Sequence, residues 1–239
     1  MAGKPAPNRT LSLAELERSD YRRRLEVLDA MVAREPGSYL HPSKRWEYPW
    51  ALERAGLEGE QRILDAGSGA SIFPVYLASQ GHRVSAVDVG VERRLGAGHG
   101  VRVEYVAGDL TALPFEDAAF DVAFCISVIE HLPEARIDLA MSELQRVLRA
   151  GGRLVLTTDY YHDAGAEIWY EGPDRSFRVD WGVFDEPRLR RFILEVPGFH
   201  VDGAIDLEVD WEQTVRTMRR FHGYPYTSVG VALVKEEGS

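Results

Sequence analysis

From residue 62 onward the chain alternates short apolar runs with stretches in which apolar positions recur every three or four residues. The runs predict strands over 62–67, 83–88, 101–107, 120–126 and 152–158, and the periodic stretches predict helices over about 72–80, 90–95 and 134–149. Regular alternation of strand and helix implies a parallel sheet with right-handed crossovers. A helix over about 185–195 follows, then two strands in FHVDGAIDLEVD and YTSVGVALVKE. In the last of these Val229, Val231 and Leu233 alternate, which suits a strand pairing antiparallel at the end of the sheet.

Two segments break this rhythm. Ahead of it, Leu11, Leu16, Leu25, Leu28 and Val32 sit among charges at helical spacing and predict one or two amphipathic helices over 11–34. Pro36 and Gly37 end that pattern, and a helix resumes through KRWEYPWAL to end near Gly56. The second break is DYYHDAGAEIWYEGPDRSFRVDWGVFD, which holds no long period. Loops of that length inside a compact domain usually bind or cover something. The expected organisation is one domain, with a helical cap over 1–56, an α/β core over 57–239 and a long substrate loop over 159–184.

Composition narrows the function. A chain of 239 residues with 45% hydrophobic content can bury a full α/β core. Its net charge of −10 argues against a nucleic-acid partner, and the basic run YRRRL at 21–25 reads as a solvated helix face. One cysteine, Cys125, excludes an internal disulfide, fits a reducing compartment and reads as core inside VAFCIS. MAGKPAPNRT lacks the apolar stretch of a signal peptide, its NRT carries no weight as a glycosylation signal without secretion, and no run is long enough to span a membrane. A cytoplasmic protein is expected.

Candidate chemistry begins at ILDAGSGASIFP, residues 63–74, which reads as strand, glycine turn and helix. Gly67 and Gly69 permit a tight turn with close backbone approach, and Pro74 suits a first helical turn. A dinucleotide fingerprint would place a third glycine at 72, where Ile72 stands. Asp65 before the turn opposes a pyrophosphate and suits an ammonium group. Asp88 closes the next strand, where a carboxylate can accept from both ribose hydroxyls. Asp109 and Leu110 follow the third strand, and Ser127 ends the fourth.

Taken in order, Asp65-Ala66-Gly67-Ser68-Gly69, Asp88, Gly108-Asp109-Leu110, Leu113-Pro114-Phe115, Phe120-Asp121-Val122 and LRAGGRLVL resemble the class I S-adenosylmethionine-dependent methyltransferases across 62 to about 158. Ser71 departs from the third glycine of many members. The resemblance implies a Rossmann-like, mostly parallel seven-stranded sheet with helices on both faces. It also implies S-adenosylmethionine as cofactor, with Gly67 and Gly69 against its methionyl part, Asp88 on the ribose, Asp109 on the adenine amino group, Leu110 on the ring and Ser127 bordering the sulfonium. Asp65 then suits the zwitterionic tail, and Trp46, Tyr48 or Arg45 of the cap are placed to roof it.

Methyl transfer to a hydroxyl is helped by a base. His131 in SVIEHL is one candidate, and Asp159, Tyr160, Tyr161 and His162 in TDYYHD are others, with His131, His162 and Tyr160 foremost. IEHL is also similar to families that bind a divalent metal through E-x-x-E-H, but Ser127 replaces the first carboxylate, so no metal is expected. The expected substrate is a small molecule, a carbohydrate or natural product in an aromatic pocket that includes Trp169, Tyr170 and Trp181, methylated at a hydroxyl. The alternative is a cofactor-binding domain without transfer activity that acts as a regulator or partner, its pocket blocked by the 159–184 loop. Oligomeric state is left open.

Overall fold

The computed structural model describes residues 7–35, 39–90, 95–172 and 174–238, so most of the helix predicted at 90–95 lies outside the described residues. Strand β1 (Asn8–Thr10) precedes the cap helices α1 (Ser19–Val32) and α2 (Lys44–Ala55). The core runs β2 (Arg62–Ala66), α3 (Phe73–Ser79), β3 (Arg83–Asp88), β4 (Val103–Ala107), β5 (Phe120–Ile126), α4 (Glu134–Val147) and β6 (Leu148–Tyr160). Within the long loop, β7 (Trp169–Glu171) and β8 (Ser176–Arg178) pair as an antiparallel hairpin. The chain closes with α5 (Glu186–Leu189), β9 (Phe199–Val201), β10 (Ile205–Asp206), α6 (Trp211–His222) and β11 (Thr227–Lys235). The helix predicted over 185–195 is interrupted, because a π-turn over Arg190–Leu194 follows the single turn of α5.

The main sheet has the order β10-β1-β11-β6-β5-β2-β3-β4, with β9 also on β11. Strands β2 to β6 run parallel and β11 is antiparallel to β6. Among the described residues this sheet has nine strands where seven were expected, the additions being pieces of two or three residues gathered around β11. One side chain holds much of that edge together. The buried Asn8 amide donates to the carbonyls of Asp202 and Ala204 at 3.0 and 3.2 Å, and its oxygen accepts from Ala232 N at 2.8 Å. The sequon asparagine is therefore enclosed, with both ends of its amide engaged.

Alternation along each strand sends neighbours to opposite faces. Leu64, Cys125, Leu154 and Leu156 pack with Ile137, Met141 and Leu144 of α4 on one face. Ile63, Phe124 and Val155 pack on the other with Trp46, Trp50, Phe73 and Leu77 from α2 and α3. The stripe Tyr21, Leu25, Leu28 and Met31 seats α1 on this second layer, leaving Arg22 and Arg23 exposed, as YRRRL predicts. Trp46 and Trp50 stack at 5.5 Å, and Trp46 Nε1 donates to the buried Glu15 carboxylate at 2.8 Å, which Arg9 Nε also reaches at 3.1 Å. Among the described residues no helix is long and apolar enough to cross a membrane.

Candidate functional site

The chain enters the sheet at β2, builds outward to β3 and β4, then returns to lay β5 on the other side of β2. That reversal opens a crevice beyond the C-terminal ends of β2 and β5, where ligands bind in open α/β sheets. The turn after β2 needs glycine. Gly67 has φ +79° and Gly69 φ +52°, and a Cβ on Gly67 would lie 2.4 Å from the Val128 side chain. Gly67 N and Ser68 N donate to the Val87 carbonyl at 2.8 and 3.1 Å, drawing the turn across the end of β3.

Two adjoining cavities of about 310 and 260 Å³ occupy the crevice and share Gly67 and Ser127. The larger is walled by Asp88, Asp109, Leu110, His131 and Arg136. Asp88 accepts from Gly69 N at 2.9 Å and Gly90 N at 3.1 Å, which fixes its carboxylate and leaves further lone pairs for a ligand. Asp109 accepts from Thr111 N at 2.9 Å and from Arg136 Nη2 at 2.8 Å, and these bonds hold it down to about 2. An amino group approaching Asp109 shares it with Arg136.

The smaller cavity is walled by Asp65, Ser68, Ser71, Ser127 and, from the cap, His41, Lys44 and Tyr48. Asp65 Oδ2 is buried without a hydrogen-bond partner. Burial, reinforced by Asp88, raises this carboxyl to about 7. Lys44 and Tyr48 lie one helical turn apart on α2 and so share a face. Tyr48 Oη bonds Ser71 Oγ at 2.8 Å, and Lys44 Nζ donates to Glu47 Oε2 at 2.6 Å. Glu47, fully buried, also accepts from Ser127 Oγ at 2.9 Å, Ser228 Oγ at 2.8 Å and Thr157 Oγ1 at 3.3 Å. Burial opposes its charge, but the Lys44 ammonium and these hydroxyls outweigh it and hold the carboxyl below its usual range. Ser127 has φ +52°, a conformation that costs a non-glycine residue on the order of 1–3 kcal/mol and clusters at functional sites.

The sequence-predicted residues thus divide. Asp65, Gly67, Asp88, Asp109, Leu110, Ser127 and His131 border the crevice, and Gly69 donates to Asp88. His131 packs against Trp181 at 5.3 Å, and burial first, then Lys44, pushes its pKa down. His162 and Tyr160 lie elsewhere, ringed with Trp211 at 5.3 and 5.7 Å, and Tyr160 is core. Tyr48 reaches the crevice, whereas Trp46 bonds Glu15 and Arg45 pairs with Asp29 on the surface. Sequence reasoning missed Lys44 and Glu47, whose signal was only their one-turn spacing in a helix read as packing. Among the described residues no group of three or more His, Cys, Asp or Glu is placed to hold a metal ion.

A broader groove of about 880 Å³, bordered by Arg62, Arg83 and Arg102, crosses the opposite end of the sheet. It is larger, but none of the residues read from the strand ends reaches it.

Comparison with known proteins bears on this crevice. A family model described as "Methyltransferase domain" matches residues 64–156. A sterol 4-C-methyltransferase of Caenorhabditis elegans is 32% identical over 123 residues, covering 46% of this chain and 36% of that protein. The chain spans less than half the length of the curated relatives it matches. Among solved structures, the [4+2]-cyclase SpnF superposes with a TM-score of 0.60 at 20% identity, covering 90% of this chain and 93% of that one. The 1,6-didemethyltoxoflavin-N1-methyltransferase of Burkholderia thailandensis, solved with 1,6-didemethyltoxoflavin and S-adenosylhomocysteine, gives 0.55 at 23% identity, covering 99% and 93%.

Proposed function

We propose that the chain carries a class I S-adenosylmethionine-dependent methyltransferase domain, supported by the family model over residues 64–156, and that its crevice binds S-adenosylmethionine and directs the methyl group to a hydroxyl of a small molecule. The observation that carries this reading is the buried, unpartnered Asp65 Oδ2 facing a cavity that Lys44 also borders. One anionic and one cationic side chain there match the ammonium and carboxylate of an amino-acid tail, while Asp88 offers a ribose its acceptor at the other end. A pyrophosphate finds no such welcome, since Asp65 and Asp88 both repel it.

When bound, the cofactor supplies a methyl group already activated by a sulfonium. The protein's part is to hold the acceptor in line and to take up its proton. Ser127, clamped by Glu47, fixes the backbone where the two cavities meet, and the Trp181 end of the long loop closes over His131. That loop is pinned by Gly182 N on the Glu130 carbonyl and Phe184 N on the Asp159 carbonyl, both at 2.9 Å, and leaves both cavities open. An open crevice supports transfer over the non-catalytic alternative. The net charge of −10 supports a small acceptor over a polyanion.

Calorimetric titration with S-adenosylhomocysteine and, separately, with NAD tests the reading. S-adenosylhomocysteine alone is expected to bind, and Asp88→Ala is expected to weaken it about tenfold or more, the worth of one charge-assisted hydrogen bond. Tight NAD binding, or no binding of either ligand by folded protein, overturns it.

A further inference from the structure

Seven aromatic side chains from four parts of the chain form a continuous arc that links the two cavities. It starts in the cap at Tyr39 and His41, 6.4 Å apart, and crosses to His222 at 6.3 Å. It continues through Tyr226 and Tyr224, at 5.8 and 5.5 Å from His222, and on to Trp181 at 5.9 Å and His131 at 5.3 Å. The two ends of the arc are themselves walls of the crevice, Tyr39 and His41 on the smaller cavity and His131 on the larger. Ser127, common to both cavities, sits between those ends. The arc therefore runs from one cavity to the other.

Two buried acids stand behind this wall. Asp159 accepts from Trp181 Nε1 at 2.8 Å and also from the Tyr226 hydroxyl, so two rings of the arc hold it. Glu130 accepts from Thr158 Oγ1 at 3.2 Å through one oxygen, while its other oxygen, Oε1, is buried and has no partner. With Glu47, whose charge the half-buried Lys44 balances, they place three buried acidic side chains at this wall with no excess of positive charge, so an anionic group entering here is desolvated without compensation. Burial raises both Glu130 and Asp159, with Asp159 adding to the shift at Glu130 and Glu47 to that at Asp159, and the three histidines of the arc are pushed down by burial, so none of them supplies a compensating cation at neutral pH.

We propose that this arc is the acceptor site, that it takes a flat, ring-bearing and uncharged molecule, and that Asp159 receives a hydrogen bond from the acceptor's hydroxyl. The rings supply stacking faces, and Asp159 supplies a polar anchor beside Trp181. This inference rests on the methyltransferase reading for its orientation, since the junction at Ser127 gives the arc its purpose.

The probes are naphthalen-2-ol, naphthalene and naphthalene-2-carboxylate, titrated calorimetrically into the full chain in mildly alkaline buffer, with and without saturating S-adenosylhomocysteine. Naphthalen-2-ol is expected to bind about tenfold or more tightly than the carboxylate or the hydrocarbon. Trp181→Leu is expected to weaken naphthalen-2-ol and naphthalene alike, about tenfold. Asp159→Asn is expected to weaken naphthalen-2-ol alone. Unchanged affinity for S-adenosylhomocysteine shows that both variants fold. Equal binding of the carboxylate, undiminished naphthalen-2-ol binding in either variant, or no binding of naphthalen-2-ol in either state overturns the proposal. Should the unaltered chain fail to take up S-adenosylhomocysteine, the cofactor reading falls, while the naphthalen-2-ol titrations of the ligand-free chain still decide this one.

Discussion

Lys44 shows how much one side chain can carry. Its ammonium has three donors and spends one on Glu47, so a ligand carboxylate can be added without breaking the existing pair. Lys44→Met is expected to weaken S-adenosylhomocysteine by about tenfold or more and leave 5′-methylthioadenosine, which lacks the amino-acid tail, unchanged. Equal losses for both ligands in calorimetry would place Lys44 outside tail recognition. Asp65 adds a pH dependence. Its folded pKa is raised to about 7, so in the ligand-free protein its contribution to stability is full at acid pH and is lost as pH rises through 7. Only the ionised form pairs with an ammonium, so S-adenosylhomocysteine affinity is expected to rise with pH through that same window. Asp65→Asn is expected to flatten the rise, and 5′-methylthioadenosine to show none. Asp65, Asp88 and Ser127 were legible because each ends an apolar run. Lys44 and Glu47 were not, because the hydroxyls that give Glu47 its meaning lie 80 and 181 residues away, at Ser127 and Ser228.

At the scale of elements, α2 joins the cap to the sheet, and its seat depends on a buried polar junction. Arg9, Glu15 and Trp46 meet where β1, the turn after it and α2 converge. Removing one partner leaves a buried charge uncompensated, so Glu15→Ala is expected to cost about 3 kcal/mol in urea unfolding. Asp29→Asn, which breaks the exposed pair to Arg45, is expected to cost less than about 1 kcal/mol. A similar cost for the two would refute the structural role of the junction. The long strands were readable because each is an unbroken apolar run with a turn at either end. The short ones were less so: the single strand read in FHVDGAIDLEVD is split into β9 and β10, each too brief to show its own pattern, and Asn8 holds β1 through an amide that reads as a polar tail. The hairpin β7–β8 was hidden for a related reason, since its stability comes from stacking, Tyr170 on Phe177 at 4.9 Å, rather than from alternation.

Across the whole molecule, the layering followed from periodicity, because residues two apart on a strand must share a face and both faces are apolar. What periodicity does not encode is how the connecting segments meet above the strand ends, and the aromatic arc is assembled there from four of them. Trp181 was suspected as part of a pocket, but its neighbour Tyr224, and His222 beside that ring, come from just beyond α6 and from its last residue, with no local sign of the meeting. The lone thiol offers a way to watch the sheet that all these parts share. Cys125 is fully buried on β5, between β2 and β6, and burial pushes its thiol well above the usual range. A thiol so placed is inert until its strand is uncovered, so its alkylation by iodoacetamide works as a clock for opening of the central sheet. S-adenosylhomocysteine at about 100 times its Kd is expected to slow that clock by up to about 100-fold, because opening β5 dismantles the crevice that β2 and β5 form. Labelling that runs at the same pace with and without the ligand would mean the sheet parts without disturbing the crevice. In that sense the single cysteine is a built-in timekeeper, reporting without any added label how firmly a bound ligand locks the two halves of the sheet together.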